Sequence, residues 1–144
     1  MSITCFADNK TVVSGSASDI PDVATTYVGR TPCSEISSDI GLNPPAECFK
    51  LKWKLILYRD AKTLKPTTYL LQSTFNRQKD ITGTWSGETI RNNNIEQPMY
   101  SLHNVLNGKN LTLLVGDENV LFFVDPTGNL YPGNAEFSYT LNRK

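Results

Sequence analysis

The sequence predicts an all-β fold, an up-and-down antiparallel barrel of about eight strands, and three observations predict it. Phe49, Leu51, Trp53, Leu55 and Leu57 alternate with Lys50, Lys52 and Lys54, the period of two that gives a strand one apolar and one wet face. A helix would scatter those lysines around its circumference. Six Tyr, six Phe and two Trp accompany many Thr and Asn and little sustained helical periodicity, a composition that suits strands. The remaining apolar runs are short and separated by turn chemistry, such as Gly116-Asp117-Glu118-Asn119 and Asp125-Pro126-Thr127-Gly128-Asn129, where proline fixes φ and glycine and asparagine tolerate positive φ. Strands of this kind bury their apolar faces in a two-sheet sandwich or a closed barrel. Sequential hairpins favour the barrel, because closure removes the exposed edges that invite association.

The elements follow in order. Residues 1–26, rich in Ser, Thr, Asp and Ala after Cys5, read as a flexible leader or tether with little to pack; residues 27–144 form the barrel domain. A first extended piece covers 28–32. Residues 33–47 contain Pro44-Pro45 and several Ser, which exclude a central strand. The alternating run at 49–57 is the second strand, and 67–75 is its antiparallel return, with Tyr69, Leu71 and Phe75 on one side. In 81–88, Ile81, Gly83, Trp85 and Gly87 share a face, the glycines allowing a bend or a close approach. The last four strands are expected at 99–105, 111–115, 120–124 and 136–141.

Fourteen basic and fourteen acidic side chains cancel. That removes the long-range attraction that non-specific nucleic-acid binding needs, so nucleic acid is not an expected partner. No apolar run approaches the ~20 residues that span a bilayer as a helix. Catalytic signatures are missing as well: there is no Gly-x-Ser-x-Gly elbow, no phosphate-binding glycine loop and no His-Glu-x-x-His. The single histidine, His103, would have to serve every acid–base role, and a non-enzymatic protein is expected.

Several side chains are candidates for chemistry or binding. Cys33 and Cys48 can be a disulfide, a soft-metal site for Cu(I) or Zn(II), or two free thiols. A disulfide would close a loop worth about 3 kcal/mol in the chain-entropy reckoning, whereas two thiolates supply only part of a metal shell. Met99 and His103 are metal-binding types, but four residues apart on one strand they lie about 13 Å apart and cannot chelate together. Trp53, Tyr69, Trp85, Phe122, Phe137 and Tyr139 are expected to face inward, as a filled core or as the wall of a cavity for a small apolar ligand. Lys50, Lys52 and Lys54 form a basic stripe, a solvated face or a partner surface. Asn110-Leu111-Thr112 fits a glycosylation sequon at the start of an apolar strand.

Tyr27-Val28-Gly29-Arg30-Thr31-Pro32-Cys33 resembles the opening of the N-terminal domain of NlpE-type copper-resistance lipoproteins, and Ala46-Glu47-Cys48 resembles the end of the same motif. Gly83-Thr84-Trp85, the hairpin at 113–128 and the closing Phe137-Ser138-Tyr139-Thr140-Leu141-Asn142-Arg143 are similar to later elements of that family. One departure stands out: the family's Cys-x-x-Cys is absent, since Ile36 stands three after Cys33 and Pro45 three before Cys48. The resemblance implies a lipocalin-like small barrel without enzymatic activity, linked to envelope stress sensing or copper tolerance. It implies a periplasm-facing outer-membrane lipoprotein of the bacterial envelope, acylated at Cys5 after removal of a preceding signal peptide and working with an envelope signalling protein. Copper through Cys33 and Cys48 is the one cofactor it suggests, and the loss of the tight cysteine spacing weakens that implication.

Overall fold

A computed structural model describes residues 20–33, 36, 39, 48–74, 79–92, 94–106, 108–134 and 136–144. Eight strands run in chain order: β1 (Val23–Thr31), β2 (Leu51–Arg59), β3 (Pro66–Ser73), β4 (Ile81–Asn92), β5 (Ile95–Leu106), β6 (Lys109–Asp117), β7 (Val120–Val124) and β8 (Thr140–Arg143). Each pairs with the next, antiparallel throughout, and β8 returns to β1 to close the barrel. The up-and-down order is the one expected from the hairpins.

Side-chain alternation sets the inside. On β2, Leu51, Trp53, Leu55 and Leu57 are buried while Lys52 and Lys54 are exposed. Leu55 lies opposite Tyr27 on one side and Leu71 on the other, so these residues continue one inward-facing row. Leu102, Leu111, Leu113, Leu121, Phe123 and Leu141 complete the interior cluster. Gly83 has a specific task in it. A Cβ there would sit 3.0 Å from the Tyr69 ring and 3.0 Å from the His103 carbonyl, so the missing side chain lets the Tyr69 ring cross the strand and donate its hydroxyl to that carbonyl at 2.8 Å.

Both ends of the interior are covered. Where β1 finishes and β2 begins, Cys33 and Cys48 form a disulfide with Cα atoms 6.2 Å apart, within the ordinary range for such a bridge. Between them Ile36, in a helical conformation, is fully buried in the core. Nearby in the chain, helical Asp39 accepts a hydrogen bond from the Tyr131 hydroxyl, tying this connection to the one between β7 and β8. At the opposite end the Arg59 guanidinium lies 4.7 Å from the centre of the Trp85 ring and donates to the Tyr100 hydroxyl at 3.0 Å. Cation–π attraction and a hydrogen bond thus hold a charged group at the mouth.

The strand bounds differ from the sequence reading in several places: β2 begins at Leu51 rather than at 49, and β4 and β5 are each four residues longer at their shared end, where Glu88 to Asn92 pair with Met99 to Ile95. β1 begins at Val23, four residues before the expected domain start at Tyr27, because Val23, Ala24, Thr25 and Thr26 pair with Arg59, Tyr58, Leu57 and Ile56. β8 begins at Thr140 rather than at 136. Asn134 turns the preceding chain away from the sheet, its side-chain oxygen accepting from the amides of Glu136 at 2.9 Å and Phe137 at 2.8 Å. Cys5, the rest of residues 1–19, and Phe75 lie outside the described residues.

Candidate functional site: the seam between β1 and β8

The two edges of β1 are unequal. Toward β2 all nine residues are in register, Val23 opposite Arg59 through to Thr31 opposite Leu51. Toward β8 only Tyr27 and Val28 are, opposite Arg143 and Asn142. Because the Lys144 amide donates to the Thr26 carbonyl at 2.9 Å, the even-numbered residues of β1 turn their backbone groups toward β8. Val28 finds Asn142 there. Arg30 is the next in that series, and the ladder has already stopped.

Gly29 explains the stop. A Cβ on Gly29 would come within 2.3 Å of the Thr140 carbonyl oxygen and 2.9 Å of a Leu141 methyl. Like Tyr27 and Thr31, Gly29 turns its Cα substituent inward, so Thr140 and Leu141 cross beneath β1 instead of lying beside it. Only glycine permits that approach. The divergence opens a groove of about 560 Å³ whose lining includes Arg30, Lys52, Trp53, Glu136, Phe137 and Asn142. A second hollow of about 240 Å³ adjoins it through Lys52 and Trp53 and reaches Lys54 and Gln72.

The charges on this face are arranged against their own interest. Arg30 and Lys52 are directly opposite each other across β1 and β2, both exposed, and like charges so placed repel. Lys50 and Lys54 continue the row. Among the described residues none of the four is within ion-pair distance of a carboxylate. Glu136 stands on the far wall of the groove, and Asp80 accepts a hydrogen bond from Gln72 at 2.6 Å. Phe49 and Phe137 meet edge to face at 5.3 Å, and Phe49 is 63% exposed. Phe49 was expected on the buried face of β2, but the strand starts two residues later, at Leu51. The bridge at Cys48 holds Phe49 at the rim.

The expected cavity set divides. Trp53, Tyr69, Trp85 and Tyr139 are buried inside, and three of them pack on other rings: Trp53 on Phe123 at 5.0 Å, Trp85 on Tyr100 at 4.9 Å and Tyr139 on Tyr131 at 4.8 Å. Their polar atoms are satisfied too. Trp53 Nε1 donates to Thr31 Oγ1 at 2.9 Å and Trp85 Nε1 to the Tyr58 carbonyl at 3.0 Å. Phe122 and Phe137 need correction. Phe122 turns outward, its ring over Gly116, and Phe123 takes the inner position; on a strand, neighbours in sequence face opposite sides. Phe137 precedes β8 and lies in the groove.

The other candidates fall elsewhere. His103 Nε2 lies 3.0 Å from Ser86 Oγ, while Met99 is buried, and the two share no site. Among the described residues no three His, Cys, Asp or Glu side chains gather as a metal site would require. Cys33 and Cys48 do not fit a soft-metal site in this form either, since each sulfur is bonded to the other. Burial, reinforced by the facing Asp39 carboxylate, pushes the Tyr131 phenol far above its ordinary range, so it stays a hydrogen-bond donor at any physiological pH. Sequence reading missed Arg30, Phe49 and Phe123 as members of a site or core. The Lys50, Lys52, Lys54 alternation was the signal that a cationic face existed, but nothing in sequence brings Arg30 opposite Lys52. Comparison of the chain with protein-family models, with curated proteins and with solved structures finds no match.

Proposed function

We propose that this protein is a non-enzymatic domain of the bacterial cell envelope, akin to the NlpE-type lipoproteins, that contributes to sensing envelope stress and meets its partners through its outer surface. The observation that carries the reading is the Cys33–Cys48 bridge, because disulfides persist in oxidising compartments such as the periplasm and are rare in the cytosol. The ring-on-ring packing of Trp53 and Trp85 supports an outer working surface over an interior one. A carrier for an apolar ligand would have to separate those rings and refill the space, at a cost of several kcal/mol for each buried aromatic displaced. Anchoring through Cys5 belongs to the same proposal.

The test is made in cells of the native host. Thiol trapping with a maleimide-polyethylene glycol reagent before lysis should leave Cys33 and Cys48 unmodified until a reductant is added. Fractionation should place the protein with membranes, and a Cys5→Ser variant should move to the soluble envelope fraction. Free thiols at both positions in untreated cells would sink the envelope reading.

A further inference from the structure

We propose that the seam groove between β1 and β8 is a docking site for an extended acidic peptide segment, gripped at one peptide unit by the backbone of Arg30 and held by the cations beside it. The inference does not depend on the compartment in which the protein works.

Three independent features meet at this place. The first is a backbone opportunity. Arg30 turns its N–H and C=O toward β8, yet the β1–β8 ladder ends at Val28, because Thr140 passes beneath Gly29. Beyond the end of that ladder, a donor and an acceptor without a strand partner among the described residues match the acceptor and donor of a residue in another extended chain, the geometry of strand addition. Pro32 limits the extent: it has no N–H, and its carbonyl already accepts the Thr31 hydroxyl at 2.9 Å. The site therefore grips one residue of a ligand, and its side-chain surroundings must supply the rest.

The second feature is charge. Arg30 and Lys52 face each other across the strands, and Lys52 also borders the hollow shared with Lys54. A carboxylate placed between them offsets their mutual repulsion, so this pair of cations favours an acidic ligand. Glu136 on the opposite wall sets an orientation, disfavouring acidic side chains on that side. The third feature is apolar. Phe49, 63% exposed, and Phe137 form an edge-to-face pair at the rim, which suits an apolar side chain two residues along the same ligand face. An acidic polymer without a peptide backbone would use the cations but not Arg30's backbone pair.

The experiment uses the full oxidised chain and three capped, fluorescein-labelled octapeptides: a Glu–Val peptide repeating Glu-Ser-Val-Ser, which sets Glu and Val two residues apart on one face, the same repeat with Lys for Glu, and the Glu–Val peptide with alternate backbone amides N-methylated. Fluorescence anisotropy should show saturable binding of the Glu–Val peptide, at least tenfold weaker binding of the other two, and weakening with added salt. In amide NMR the Arg30 resonance should move on titration and its hydrogen exchange should slow. An Arg30→Glu, Lys52→Glu double variant should lose at least tenfold in affinity; both side chains are exposed, and an unchanged thermal midpoint verifies the fold. Equal binding of the N-methylated peptide would reduce the site to anion attraction and overturn the proposal. So would unaltered affinity in the double variant, or no saturable binding of the Glu–Val peptide.

Discussion

The interior of the barrel and the seam on its flank are built on opposite plans. Inside, Trp53 and Trp85 each rest on another ring and each indole N–H has an acceptor, so both are fixed by packing and by hydrogen bonding. At the seam, β1 and β8 share two register positions, and the space where further pairs would lie is left as a groove of about 560 Å³. Both regions depend on Trp53, which faces the core and also backs the groove. Stability is concentrated where nothing can enter, and capacity for a ligand lies where the sheet is least complete. Regions of few paired backbone groups are also where local opening is easiest.

The largest expected effect tests the interior side. Phe123→Ala should lower stability by about 4 kcal/mol, because a buried aromatic leaves a cavity that its neighbours fill only in part. Phe122→Ala, one position along and outward, should cost about 1 kcal/mol, and chemical denaturation of the two variants gives the comparison directly. Equal costs would mean that the barrel's inside has been assigned to the wrong residue.

Gly29→Val attacks the join between the regions. With the Thr140 carbonyl only 2.3 Å from where its Cβ would stand, the change should cost about 3 kcal/mol and lower the thermal midpoint by about 10 °C. Separation of β8 should appear as faster hydrogen exchange at Val28 and Asn142. Reducing the Cys33–Cys48 bridge should cost a comparable amount, about 3 kcal/mol for a loop of this length, and should loosen the rim around Phe49 more than the opposite end around Arg59. Uniform loosening would count against the bridge as a local brace.

The smallest effect comes from the turns, remote from both regions. Hydrogen bonds, first from the Thr63 amide for Asp60 and from the Thr127 hydroxyl for Asp125, hold both carboxyls below their usual range. A lowered folded-state pKa gives stability that is present above the ordinary value of about 3.9 and is lost as pH falls through the lowered one. Thermal midpoints of Asp60→Ala and Asp125→Ala should sit slightly below wild type near neutrality and converge with it in acid. A gap that persists at about pH 2 would show that these turns act by geometry alone.

How much of this was legible in the sequence follows from which interactions are local. The alternation of Leu51, Trp53, Leu55 and Leu57 with lysines fixes a strand and its inner face, and the proline, glycine and asparagine turns fix the hairpins. Together they carry the whole strand order. Phe122 and Phe123 were harder, because adjacent aromatics satisfy either phase of a period-two pattern and only pairing with Leu114 and Leu113 chooses between them. Phe137 looked like part of an alternating strand until Asn134 captured two amides ahead of it. The groove was out of reach for a different reason. It arises where strands more than a hundred positions apart fail to pair, and its cause, Gly29 lying over Thr140, has no local signature.

The sulfur bridge has a consequence for how this protein can change. By joining Cys33 to Cys48, fifteen positions apart, it makes closure of the barrel's end independent of the stretch between them. Ile36 and Asp39 spend that stretch's first residues on the core and on Tyr131. With the two sulfurs joined, lengthening the chain between them adds only closure entropy, about 0.6 kcal/mol for a doubling. Sequence added there leaves the strand that begins at Leu51 held by the bridge and by its full pairing with β1.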